Sequence, residues 1–170
     1  MFDPTIFDNL KVAIENQVYD LDNIERQIEV TNRSDQLEMA VLSRKFAIEF
    51  VLVNQFNVRA EIVLSTSLKD LAAEILEDSS FEPGCFLAVR FYKEIKNVEL
   101  ECEKVERLLQ TIWKQPEKPV QTIRFIYGNH GMYENEIEIL FNRKINEDQM
   151  EDLEEFIQYV LYSLQELNAI

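Results

Sequence analysis

Residues 83–114 read PGCFLAVRFYKEIKNVELECEKVERLLQTIWK, and the conformation of this one stretch decides how the rest of the chain can be arranged. Ala88, Phe91, Ile95, Val98, Cys102, Val105, Leu109 and Ile112 recur in alternating steps of three and four, the spacing of one helix face. The pattern predicts a single helix from about Pro83 to Lys114, roughly 45 Å long at 1.5 Å per residue. A short strand over Phe86–Phe91 is the rival local reading, because Cys85 to Val89 is apolar on all sides. If the helix is continuous, its apolar residues occupy a and d positions of a heptad, with Glu94 and Glu101 at g and Glu99 and Glu106 at e. A parallel homodimer would then set like charges against each other. The helix is therefore expected to dock within its own chain, against a sheet and the closing helix, leaving any homodimer to another surface.

Upstream, Asp3-Pro4 reads as a cap followed by proline in the first helical turn, opening a helix from about Pro4 to Gln17. A continuation toward Glu29 is weakened by Asp20, Asp22 and Asn23, and Thr31 to Asp35 reads as a turn. From Leu37 the apolar period changes to two. Leu37–Leu42, Phe46–Leu52 and Ala60–Ser65 are expected as three consecutive antiparallel strands. Ser67, with Asp70 three places on, then starts a helix with Leu68, Leu71, Ala72, Ile75 and Leu76 on its apolar face.

Downstream, Gln115-Pro116-Glu117-Lys118-Pro119 breaks any helix. Ile123, Phe125 and Tyr127 alternate before Gly128-Asn129-His130-Gly131, and Ile137, Ile139 and Phe141 alternate after it, which predicts a hairpin. Asn146 with Gln149 caps a last helix that turns Met150, Leu153, Ile157, Val160, Leu164 and Leu167 inward. The expected fold is α+β in one compact unit over residues 1–170. An antiparallel sheet of about five strands would be packed by N-terminal, central long and C-terminal helices. This element order, together with the low pI, resembles that of the small dimeric chaperones of type III secretion. The resemblance extends to element order alone, and the long helix departs from their plan, so no residue role carries over.

Composition narrows the function. Of 170 residues, 32 are Asp or Glu and 17 are Lys or Arg, a formal charge of −15, with a pI near 4.5. Such a field repels nucleic-acid backbones and anionic lipid, and no basic patch offsets it. The start lacks the basic residues and apolar run of a signal peptide, and no apolar run approaches the roughly 20 residues of a membrane span. Cys85 and Cys102 form no Cys-x-x-Cys pair and are too few for a disulfide scaffold, which makes the cytoplasm the expected compartment.

Chemical signatures are sparse. His130 is the one histidine, so a histidine-rich metal site is excluded, although Asn129 and His130 make a candidate exposed loop that could present a general base. Cys85 near a helix start could have a lowered thiol pKa, while Cys102 on the apolar stripe reads as core. Asp20-x-Asp22-Asn23 lacks the glycine and glutamate of a calcium loop. Ala60-Glu61-Ile62-Val63-Leu64 lacks the lysine of a metal-dependent nuclease, and three glycines cannot build a phosphate loop. No cofactor is expected. Glu147, Asp148, Glu151, Asp152, Glu154 and Glu155 complement the dipole at the start of the last helix and form a candidate acidic docking surface. The expected function is a non-catalytic cytoplasmic protein-binding module, an adaptor, chaperone-like holder or inhibitor whose protein partner is basic. The alternatives are an acidic mimic occupying a nucleic-acid-binding surface, or an enzyme using His130 or Cys85.

Overall fold

The computed structural model describes residues 4–170. Helix α1 (Ile6–Asn23) opens with Thr5, whose side chain accepts from the Asp8 amide while the Asp8 carboxylate takes the Thr5 N–H, so each satisfies an end group the helix leaves free. The cap expected at Asp3 lies outside the described residues. Phe7, Leu10, Ile14, Val18 and Leu21 form its buried stripe.

Strands β1 (Ile28–Glu38), β2 (Ser43–Leu52) and β3 (Gln55–Thr66) follow as an antiparallel meander. The first departs from expectation: Thr31–Asp35 lies inside β1 rather than in a turn, and the turn falls at residues 39–42. Polar residues are tolerated there because β1 is an edge strand lashed to its neighbours by charge. Arg33 meets Glu15 at 2.6 Å, and Asp35 meets Lys11 at 2.5 Å and Arg44 at 3.0 Å. A bulge between Val30 and Asn32 shifts its register. Helix α2 (Leu68–Ile75) starts at Ser67, whose hydroxyl accepts from the Asp70 amide as expected.

The decisive stretch divides. Phe86–Ile95 is a strand, β4, and only Val98–Trp113 is helix, α3. The rival strand reading was therefore the right one, and it extends four residues beyond Phe91. Leu87, Val89 and Phe91 point to the covered face and pair in register with Leu64, Ile62 and Ala60 of β3. Asn97 caps α3 by accepting from the Leu100 amide, and the Glu101 carboxylate returns to the Lys96 and Asn97 amides at 2.7 Å. A 32-residue helix and its heptad do not exist, and Glu94 belongs to a strand. What survives is the docking: α3 packs in cis against the closing helix.

Strands β5 (Val120–Arg124) and β6 (Tyr133–Leu140) complete a six-stranded antiparallel sheet in the order β1-β2-β3-β4-β6-β5. The fold is thus the expected α+β class, with β4 as the additional strand. Asn146 caps as expected, but it opens a 3-10 helix, Glu147–Asp152, before α4 (Leu153–Ala169) begins. Helices α1 and α4 lie on one sheet face, where Phe46, Ile48, Phe50, Ile62, Phe91, Ile157, Val160 and Leu164 close the core.

The opposite sheet face is a lattice of charge. Arg59 reaches Glu49 at 3.4 Å and Glu134 at 3.5 Å, Arg90 reaches Glu138 at 2.5 Å, and Arg124 reaches Glu136 at 2.5 Å. Arg59 also stacks 4.8 Å from the Tyr92 ring. Burial and the neighbouring Glu61 and Glu136 carboxylates push the Tyr92 hydroxyl up to about 12. No described helix is long and apolar enough to cross a membrane.

Candidate functional site

An apolar concavity sits where the Gln115–Glu117 connector passes over the start of α4. Its volume is about 470 Å³, within the usual range of ligand and peptide pockets. Leu87 of β4, Pro116, Phe141, Ile145, Leu153 and Phe156 form its apolar floor and walls.

Local chemistry builds each wall. The Cys85 and Ile145 backbones exchange hydrogen bonds at 2.8 Å in both directions, which pins the segment after β6 beside β4. Gly84 is required there, since a Cβ would stand 2.9 Å from the Ile145 carbonyl oxygen. Behind Phe141 and Phe156 stands Trp113, with ring centroids 5.4 and 5.7 Å away, and the two phenylalanines meet edge-on at 5.6 Å. The indole N–H donates to Ser163 Oγ at 2.9 Å, and that hydroxyl donates to the Tyr159 carbonyl at 2.8 Å. An aromatic wall whose one polar group is satisfied holds its shape.

The mouth is acidic. Glu117 and Asp152 line it together with Asn142, Gln149 and Arg143. Asp152 and Glu155 also border an adjoining hollow of about 300 Å³ with Trp113, Phe156 and Tyr159. All six acids expected to form a docking surface, Glu147, Asp148, Glu151, Asp152, Glu154 and Glu155, are exposed around the 3-10 helix and the first turn of α4. The nearby cations are engaged elsewhere, Lys144 with Asp70 at 3.0 Å and Lys118 with Glu106 at 2.8 Å. Among the described residues the six acids have no cationic partner. Arg143 is, among the described residues, the one cation lining the mouth that makes no ion pair.

The other candidate residues lie apart from this groove. Asn129 and His130 are exposed in the loop joining β5 to β6, where the Asn129 amide donates to the Ile126 carbonyl at 3.0 Å. Asn129 borders a separate hollow there and His130 does not. The eight residues of β6 separate this loop from Phe141, about 27 Å at 3.4 Å per residue. Cys85 is not at a helix start. It is buried in the bridge before β4, and burial pushes its thiol up to about 12, so it is a poor nucleophile. Cys102 lies on α3, where burial and the adjacent Glu101 also raise its thiol pKa. Both cysteines are free. No three His, Cys, Asp or Glu side chains among the described residues stand close enough to hold a metal ion.

The sequence marks the acidic run Glu147–Glu155, of which Asp152 lines the mouth, but it does not mark Glu117 or the groove. Phe156 lies one position off the inward stripe of α4, and by spacing alone Pro116 reads as a breaker and Phe141 as the end of a strand. An aromatic residue flanking a core stripe, beside a Pro-rich connector, was the available signal. No protein-family model, curated protein or solved structure matches this chain.

Proposed function

We propose that the chain is a non-catalytic protein-binding module that seats an apolar segment of a basic partner in the groove between the 115–117 connector and α4. The observation supporting this reading most strongly is the juxtaposition of an apolar cavity of about 470 Å³ with carboxylates that have no cationic partner of their own. Apolar side chains on the partner would displace water from Leu87, Phe141, Ile145 and Phe156, and flanking Lys or Arg would meet Asp152, Glu151 and Glu155. Burial would supply affinity, and charge would supply attraction and register. Residence in the cytoplasm belongs to the same proposal and is supported by the two unpaired cysteines.

Capture on the immobilised protein tests it, using native extract at about 50 and 300 mM salt with wild type and Phe156→Glu side by side. The proposal expects one stoichiometric basic partner that is lost with Phe156→Glu and weakened by salt. A partner retained by Phe156→Glu, yet released at modest salt, would instead favour the acidic-mimic reading. Its contacts would then be the surface carboxylates alone.

A further inference from the structure

The free edge of β5 lies within the longest stretch of the chain without an acidic residue, Lys118–Tyr133, in a protein carrying 32 acids in 170 residues. Among the described residues β5 pairs only with β6, so half of its backbone groups face outward with no ladder partner. The strand runs directly into the most exposed apolar cluster of this edge, Phe125, Ile126 and Tyr127, the last 97% exposed, and Val120 at its start is also exposed.

Charge is the obstacle to self-association in a chain of −15, and around this edge most carboxylates are paired, Glu94 beside Phe125 being an exception. Glu134 pairs with Arg59 and Arg124, Glu136 with Arg124 and Arg90, and Glu138 with Arg90. On the covered side Glu106 pairs with Lys118 and Glu103 with Arg107. The opposite edge differs. β1 presents Glu29 and Glu38, which have no cationic partner among the described residues, and is bent by the bulge at Val30/Asn32, so two copies meeting there would repel and fit poorly.

We infer that β5 is a homodimer edge, pairing antiparallel with β5 of a second copy to make one continuous twelve-stranded sheet. A closed two-fold contact between identical edges requires the antiparallel arrangement. Centring the axis on Thr122 sets Thr122 against itself, Val120 against Arg124 and Phe125 against Pro119 of the second copy. An axis perpendicular to the sheet keeps each α3 on the covered side and both charge lattices on the open side. Five strand residues alone make a small interface, so Phe125, Ile126 and Tyr127 must supply the apolar contact beyond the ladder.

Sedimentation velocity from about 5 to 500 µM tests this on wild type and on Ile126→Lys/Tyr127→Lys. Both positions are exposed and outside the strands, and an unchanged thermal melt would verify the fold of the variant. The expected result is a concentration-dependent dimer for wild type, weakened at least tenfold by the two lysines. Oxidised Thr122→Cys should cross-link, since facing Cα atoms on the axis would stand about 4.5–5.5 Å apart, within disulfide reach. A monomer throughout the range would overturn the inference. So would a dimer that the two lysines leave intact, or one in which Thr122→Cys does not cross-link.

Discussion

Lys93 Nζ donates to the main-chain oxygen of Leu167 at 2.9 Å and to that of Ile170 at 2.7 Å, so a lysine on the covered face of β4 closes the last turn of α4. The final carbonyls of a helix have no partners of their own, and a cation meets both this need and the negative end of the dipole. Burial holds the Lys93 amine below its ordinary pKa.

Lys93→Met keeps the apolar stem but leaves those carbonyls without a donor. The expected cost is about 1–3 kcal/mol. Amide exchange should quicken in residues 164–169 more than in α1. Denaturant unfolding with unchanged stability would show that water replaces the amine without penalty.

Gly84→Ala should destabilise by about 1–3 kcal/mol, because the new Cβ meets the Ile145 carbonyl oxygen at 2.9 Å, and backbone must move to admit it. The displaced segment carries Ile145 and neighbours Phe141, so the groove should deform as well. A variant with wild-type stability would mean that the Cys85–Ile145 bridge is slack.

Acid should unfold the protein through three carboxyls. Burial opposes the charge on Asp8, Asp35 and Asp70. It is outweighed by Thr5 and Arg44 at Asp8, by Arg44 and Lys11 at Asp35, and by Ser67, Lys144 and the Gly84 amide at Asp70, so all three sit below the ordinary carboxylate range. The unfolded chain therefore binds protons first as pH falls. The stabilisation is complete above the unfolded values, near pH 4, and is lost through the lower folded values. Glu74, raised by burial, acts in the opposite sense. Tm should be nearly level from pH 7 to 5 and fall steeply below about 4, less steeply in Asp70→Asn. A Tm unchanged down to pH 3 would contradict these pairings.

Duplex DNA and RNA should not bind at about 150 mM salt. The cations of the open sheet face, Arg59, Arg90 and Arg124, are each engaged by carboxylates, so a phosphate would have to displace a closer anion. Saturable gel retardation at low-micromolar protein would refute this.

Where sequence reading succeeded and failed traces to particular side chains. β2, β3 and α4 were legible because Phe46, Ile48 and Phe50, or Leu153, Ile157, Val160 and Leu164, repeat with one clean period. α2 was legible from its Ser67 cap alone: Leu68, Ile75 and Leu76, expected to face inward, are exposed, and its buried residues are Asp70 and Ala73. β4 was concealed by Lys93. A charge at an inward position broke the alternation Leu87, Val89, Phe91, Ile95, and what remained mimicked a helical spacing that ran on into α3. β1 was misplaced because its polar run Thr31–Asp35 is held by Arg33–Glu15 and Lys11–Asp35, pairings between residues distant in sequence. The acidic run Glu147–Glu155 was legible from local charge, and its Asp152 lines the mouth. The groove was not, because Leu87, Pro116, Phe141 and Phe156 come from four separate segments that converge through the β4–β6 ladder, the Cys85–Ile145 bridge and the packing of Trp113 on Phe141 and Phe156.

Trp113 is the only tryptophan, and it packs behind the groove-lining rings of Phe141 and Phe156, so its emission is expected to respond when the groove is filled. The most direct measurement is a titration with a leucine-rich helical peptide flanked by lysines, alongside its glutamate-flanked counterpart, at about 50 and 300 mM salt. The proposed function predicts a saturable emission change with the lysine-flanked peptide alone, weakened at least tenfold by salt and abolished by Phe156→Glu. An emission unmoved by the lysine-flanked peptide, or moved equally by both peptides, would contradict it.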